Sequence, residues 1–383
     1  MPGIQVVMRN LRLDPVPQPG EPRAMGRGAT VAALVPPPTA YLVLAQEPAE
    51  RSGIRIRASL LTAGAKATVF ASHRQFTRAQ LDELLDDLHG GDFTEGQLRR
   101  YGERMGQLLL APDLREALLE ARSSHLAIVH DAQMSQLPWE TLRIGTWVPA
   151  LAAGLSRRYA AENLSVARWT ETRRLGETLE LLLVADPTGD LPGARAEAQR
   201  LIRLFAGHPE IRLHVVQGPQ ATRARLLDDF RSGAYDVLHY AGHAHFDAHQ
   251  PGRSGIYCAG GEILCGADLA QLAGLPALVF FNACESGRLR AAPRLRLRQS
   301  LATVDGLAES FLRGGVANYL GTYWPVGDES ALAFSSTLYA GIVKGASLGD
   351  AVNRARSAVR RARSCDWADY LHYGSPEFAI KGA

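Results

Sequence analysis

"DVLHYAGHAHFD", residues 236–247, opens as a buried strand and ends in a burst of histidine. The run from Val237 to Ala241 is apolar apart from His239, the pattern of a strand covered on both faces. Such a run should not finish with His243 and His245 unless something is done at its end. A second run of the same kind, "ALVFFNACESG" at 277–287, finishes with Cys284. Around these two the chain alternates regularly from about residue 176. "LELLLVAD" (179–186) reads as a strand, "ARAEAQRLIRLF" (194–205) as a helix, "IRLHVVQG" (211–218) as a strand and "ATRARLLDDFRSG" (221–233) as a helix. After Cys284 come a helix, "TVDGLAESFLRGG" (303–315), and "ANYLGTYWPV" (317–326) as the last strand, with two helices closing the chain. Strand–helix alternation with continuously apolar strands means a mostly parallel sheet with helices on both faces.

In such a sheet, functional groups gather in the crevice beyond the carboxyl ends of the strands. If the strands ending in His243 and Cys284 are neighbours, imidazole and thiol face each other across it. A thiol needs a base or cation nearby to become a thiolate, and a strand-end histidine supplies one. The intervening "GIYCAGGEILCGADLAQL" (255–272) reads as a hairpin and short helix outside the sheet. Against this stands the plain reading, in which a strand-end cysteine is a small apolar core residue. A metal reading would gather His239, His243, His245 and His249 with Cys258 or Cys265. Residues 239 and 243 of one strand lie about 13 Å apart, too far to share an ion. His239 is therefore expected to be a core residue, and no metal or cofactor is expected.

Upstream, residues 1–75 read as extended segments broken by a Pro/Gly-rich stretch at 15–38. A helix starts at Thr77 with Gln80 completing a capping box and Leu81, Leu84, Leu85 and Leu88 on one face. A second helix follows from Thr94, then the strand "HLAIVH" and the segment "MSQLPWETLRIG". The expected organisation is an N-terminal extended region (1–75), a middle region (76–175) and an α/β catalytic domain (176–383).

With 383 residues, 46% apolar and 21% charged, the chain has the composition of an ordinary globular protein. No stretch approaches the roughly 18–20 apolar residues of a membrane span, and the N-terminus does not read as a signal peptide. A cytoplasmic location without membrane partners is the expectation, and four cysteines suit a reduced compartment. A net charge of +3 marks no evident polyanion binder. Lysine occurs only at 66, 344 and 381, so nearly all the positive charge is arginine. Five arginines (288, 290, 294, 296 and 298) crowd the loop after Cys284, as a solvated surface, an activation loop or an acidic docking surface; without interleaved aromatics, nucleic acid is not the expected partner.

"VLHYAGHAHFD", "LVFFNACESG", "GGVANYLGTYWPVGDES" and "WADYLHYGSPEF", with "LPGARAEAQRLI" and "LPWETL" upstream, resemble the CHAT domain, a caspase-like cysteine protease family. The resemblance runs from about residue 100 to 380. It implies a caspase-like α/β fold preceded by a smaller mixed α/β region, with His243 and Cys284 at the catalytic positions. It also implies an oxyanion hole from the backbone N–H groups of Ala244 and Cys284. Asn282, Glu285 and Asp328 hold substrate-binding positions, although a helix N-cap is the alternative for Asp328. Members of the family usually carry glycine directly after the histidine, where this chain has Ala244. The implied function is an endopeptidase that cuts a protein partner in bacterial antiviral defence or programmed cell death. A gasdermin-like effector would be the substrate, and a second protein the activator. The alternative is a pseudoprotease that binds partners through the same surface.

Overall fold

The computed structural model describes residues 37–47, 53–62, 69–87, 93–131, 134–160, 178–245, 253, 255–265, 268, 276–282 and 316–379. Its first elements are strands β1 (Thr39–Glu47), β2 (Gly53–Thr62) and β3 (Val69–Thr77). Helices α1 (Arg78–Asp86), α2 (Glu95–Leu109) and α3 (Pro112–Glu120) follow. Thr77 and Gln80 form the expected capping box, and α1 buries Leu81, Leu84 and Leu85. Thr94 and Gln97 cap α2 in the same way. Strands β4 (His125–His130) and β5 (Leu155–Tyr159) complete this half.

The alternating half runs through β6 (Leu179–Ala185), helix α4 (Pro192–Phe205), β7 (Ile211–Gln217), α5 (Arg223–Arg231) and β8 (Val237–Ala241). Short strands β9 (Ala244–His245), β10 (Gly255–Tyr257) and β11 (Ile263–Cys265) form a separate three-stranded sheet, so the hairpin stands outside the main one. Next come β12 (Leu278–Asn282), β13 (Asn318–Thr322), α6 (Asp328–Val343), α7 (Leu348–Arg361) and β14 (Tyr370–Tyr373). The expected segments at 4–13 and 303–315 lie outside the described residues.

One main sheet of eleven strands runs β3-β2-β1-β4-β5-β14-β13-β12-β8-β6-β7. It is mostly parallel, with antiparallel pairing only at β1–β2, β2–β3 and β13–β14. Leu181, Leu182, Leu183 and Val184 of β6 are all fully buried, so both faces of the sheet are covered there. Helix α6 packs against both α4 and α7, with Phe205 of α4 edge-on to Tyr339 of α6. Phe334 of α6 stacks flat on Tyr370 of β14.

The expectation that 317–326 is the last strand is corrected by β14. Its four residues pair antiparallel with β13, from Thr322↔Tyr370 to Tyr319↔Tyr373, and all are buried. Four residues are too few to show a strand period, and His372 breaks the apolar run, so pattern alone hides this strand.

β14 is also the seam to the first half, joined to β5 through Tyr373↔Arg157. A buried ionic cluster holds that seam. Arg157 is 0% exposed and donates to Glu140 (3.0 Å at Nε, with a second contact at Nη2) and to the carbonyls of Ser135 (3.2 Å) and Leu137 (2.9 Å). Arg356 of α7 reaches Glu140 at 3.6 Å and donates to the carbonyls of Leu155 (2.8 Å) and Tyr370 (2.7 Å). Tyr323 donates to the same Ser135 and Leu137 carbonyls, and its ring faces Arg157 at 4.8 Å. "LPWE" thus supplies one buried carboxylate, Glu140, while Trp139 packs at 0% exposure with Nε1 donating to the Met134 carbonyl.

Asp369, just before β14, is fully buried, and no described group hydrogen-bonds its carboxyl. Burial first, then the charges of Asp366, Cys365 and Glu140, push this acid well above the usual carboxylate range. An acid whose affinity for protons is raised by folding supports the fold at low pH, and that support fades as pH climbs through the folded-state value. Asp369→Asn is therefore expected to remove a downward slope of at most about 1.4 kcal/mol per pH unit. Thermal melts from pH 5 to pH 9 should fall less in the variant; parallel curves would refute the assignment.

Candidate active site

Strands β6, β8 and β12 lie side by side. Ala185, Ala241 and Asn282 pair at one level, so three chain segments leave the sheet together at its carboxyl edge. The condition set by the sequence is met: the strands ending before His243 and Cys284 are neighbours. Cys284 and Glu285 lie outside the described residues, as does the arginine loop 288–298.

His243 is clamped by its backbone. Its carbonyl accepts from the hydroxyl of Tyr240 (2.7 Å) and the N–H of Tyr257 on β10 (3.1 Å). Tyr240 curls back over Gly242, where a Cβ would stand 2.5 Å from the tyrosine hydroxyl, so only glycine fits. The same hydroxyl also reaches the Tyr257 carbonyl at 2.9 Å, tying β8 to the outer hairpin. The imidazole is 18% exposed, and its Nε2 lies 3.1 Å from Asp190 Oδ1, in the segment after β6. Sequence reading missed Asp190; the signal available was a second acidic residue in "DPTGD" at another strand end.

Ala244 opens β9 opposite Ile256 of β10. The Tyr257 N–H to His243 carbonyl bond makes 243 and 257 a hydrogen-bonded pair, so by alternation 244 and 256 are not one, and the Ala244 N–H points away from β10. Among the described non-glycine residues only Asp186 and Arg363 have positive φ, so alanine in place of the family's glycine carries no strain at 244.

His245 follows in β9, with Nδ1 3.4 Å from the Tyr257 hydroxyl. His239 is fully buried, bonded to the Tyr339 hydroxyl at 3.0 Å, with Nε2 3.2 Å from Glu197. Among the described residues no His, Cys, Asp or Glu group is arranged to hold a metal ion. Cys258 is buried with its thiol pushed up to about 11 by that burial, and Cys265 donates to Asp268. Neither is built as a nucleophile.

Asn282, expected at a substrate-binding position, is 1% exposed. Its amide donates to Glu197 of α4 at 2.8 Å and to the Ala331 carbonyl of α6 at 3.4 Å, while its oxygen accepts from Tyr370. That amide ties β12 to the helix layer directly before the segment carrying Cys284. Asn282→Asp would set a carboxylate against buried Glu197. The expected result is a loss of about 3 kcal/mol, as for other buried like or unpaired charges. A shared proton relieves the repulsion, so the loss should shrink on acidification. Denaturant melts at pH 5 and pH 8 decide this, and a variant as stable as the native chain at pH 8 would sink it.

Asp328 begins α6 one residue after the N-cap, which is Gly327. Its carboxylate packs on Gly193 at the start of α4, where a Cβ would come within 2.3 Å of it. The side chain is exposed on the same edge of the sheet as the three strand ends. Trp324 packs between Tyr323 and Phe93 and is 4% exposed.

A mostly parallel sheet packed with helices, with three strand ends gathered at its carboxyl edge, defines an α/β protein. Residues 99–375 match the CHAT domain family, and the chain belongs to that family. No curated protein sequence matches. Among solved structures, a chain of the Saccharomyces cerevisiae separase–securin complex, the separase, is similar at 13% identity and a TM-score of 0.51, over 88% of this chain and 30% of its own. A second structure of that complex aligns at 17% identity and a TM-score of 0.42, over 79% of this chain and 20% of the other. This chain spans about 30% of the separase chain, and the likeness is one of fold. Among the described residues, no helix is long and apolar enough to cross a membrane.

Proposed function

We propose that this protein is a cysteine endopeptidase that cuts a protein partner with His243 and Cys284. The observation that supports the reading most is the register of β8 and β12, in which Ala241 and Asn282 are paired and each precedes its candidate residue by two positions. In this reaction the Cys284 thiolate attacks the scissile carbonyl carbon, and the C–N bond breaks as imidazolium His243 gives its proton to the departing amine. Water then attacks the thioester as His243 takes one of its protons, and the C–S bond breaks to release the Cys284 thiolate and a carboxylic acid that ionises, restoring the thiolate–imidazolium pair. The N–H groups of Ala244 and Cys284 would hold the oxyanion. Asp328 and Glu285 would offer carboxylates to the bound peptide, and Asn282 would act from beneath. The catalytic machinery would occupy the 176–383 region, with 76–175 as the N-terminal half of the CHAT region and residues 1–75, or another protein, sensing the activating signal. The family resemblance is what supports a cytoplasmic role in defence or cell death and a gasdermin-like substrate.

An activated thiol reacts fast at neutral pH and an inert one does not. Brief treatment with iodoacetamide at pH 7, followed by peptide mass spectrometry, should label Cys284 at least about tenfold faster than Cys258, Cys265 or Cys365. Equal rates at all four would favour the partner-binding pseudoprotease instead.

A further inference from the structure

The third strand end of the crevice carries a group that the dyad does not include. Asp190 reaches His243 Nε2 at 3.1 Å from the segment that follows β6. That segment is built. Asp186, 2% exposed, sits at φ +46°, a left-handed conformation that aspartate tolerates better than most residues. Its N–H donates to the Ala241 carbonyl at 2.8 Å, which ties the end of β6 to the end of β8. Its carboxylate accepts from the Leu191 N–H at 2.9 Å and pairs with Arg195. Both flanks of Asp190 are thereby pinned, and the Thr188 hydroxyl donates to the carboxylate itself.

We infer that Asp190 is a positioning residue, holding His243 as the Nε2–H tautomer so that Nδ1 is the nitrogen that exchanges a proton with the thiol. The inference rests on the dyad reading above. An ionised carboxylate can only accept, so the nitrogen it faces must carry the hydrogen. The Thr188 hydrogen bond first, and then the His243 charge, hold the Asp190 carboxyl below the usual range. When His243 becomes imidazolium, the same carboxylate faces the new charge and favours the thiolate–imidazolium pair. The other ionisable groups around this ring are few. Tyr257 stands edge-on with centroids 6.5 Å apart, His245 lies beyond Tyr257, and the Asp186 charge is taken up by Arg195. Asp190 is therefore the anion that His243 meets among the described residues.

The test uses the intact chain as native protein and as Asp190→Asn, Asp190→Ala, Asp190→Glu and His243→Ala. Two readouts are taken: the iodoacetamide rate at Cys284 from pH 5 to pH 9, and the ring ¹⁵N spectrum of His243. Asp190 is exposed, so the effect should be that of a solvent-facing pair. We expect about fivefold slower alkylation near pH 6.5 in the Asn and Ala variants, with the rate profile displaced. Glu should recover it to within about twofold, because it restores the carboxylate. The native ring spectrum should show Nε2–H, and the Asn variant a mixture. If Asp190→Asn leaves both the rate profile and the ring spectrum native while His243→Ala slows alkylation, the inference fails and the dyad stands. If His243→Ala leaves alkylation unchanged, the dyad reading fails. The ring spectrum then decides the Asp190 contact alone, a native spectrum in the Asn variant overturning it.

Discussion

Replacing Cys284 by alanine will abolish peptide hydrolysis, and replacing His243 by alanine will slow it by roughly 10³-fold. The second figure corresponds to about 4 kcal/mol of transition-state stabilisation, the combined worth of thiolate activation and proton delivery to the leaving amine. His243→Ala should keep the native fold, because the partners of its ring, Asp190 and the edge of Tyr257, stand beyond the end of β8 rather than in the core. His245→Ala is the control. Its ring lies against the Tyr257 hydroxyl rather than Asp190, so its removal should cost far less. Serine at 258, 265 or 365 should leave the rate largely intact. Cleavage of a peptide library followed by mass spectrometry reads all these variants. Hydrolysis that survives Cys284→Ala would show the nucleophile to be misassigned, and equal losses at 243 and 245 would point to a shared metal ion.

Removing the Glu140 charge will unfold the protein far more readily than any other single charge change described here. Glu140→Gln leaves Arg157 and Arg356 buried at 0% exposure with no counter-charge between them. Arg356 is already pushed down to about 10, first by its own burial, with Glu140 opposing the shift and Arg157 adding to it. Breaking a buried pair in this way costs about 3–5 kcal/mol. In a chain of this size that lowers the melting temperature by roughly 5 °C. The seam between β5 and β14 should open first, since Arg356 holds the carbonyls of Leu155 and Tyr370 and Arg157 stands in β5 itself. Hydrogen exchange along Leu155–Tyr159 and Tyr370–Tyr373 tests this. A Glu140→Gln variant with native stability would mean the cluster is not what joins the two halves.

Period and spacing were enough for the alternating half of the fold. Strands such as Leu179–Ala185 are apolar throughout because both faces are covered, and a covered parallel strand can be read without knowing its neighbours. The capping boxes at Thr77 and Thr94 are equally local, since each closes within three residues. The resemblance of quoted motifs to the CHAT family likewise required no coordinates, and it named His243 and Cys284.

Other features depend on groups far apart in the chain. Strand order is one: that β8 and β12 are neighbours, with Ala241 level with Asn282, is a pairing between residues 41 apart. β14 is another, since four residues carry no period and become a strand only because β13 and β5 stand on either side. The resemblance puts Asn282 at a substrate-binding position, yet its amide donates to Glu197, 85 residues earlier. A polar residue at a strand end looks the same in sequence whether it faces a substrate or a buried partner. Only the packed helix layer decides which, because a buried amide must find its hydrogen bonds inside. Asp190 shows the converse: an exposed acid of a surface turn, unremarkable in the chain, gains a role from lying 3.1 Å from His243 once β6 and β8 are side by side.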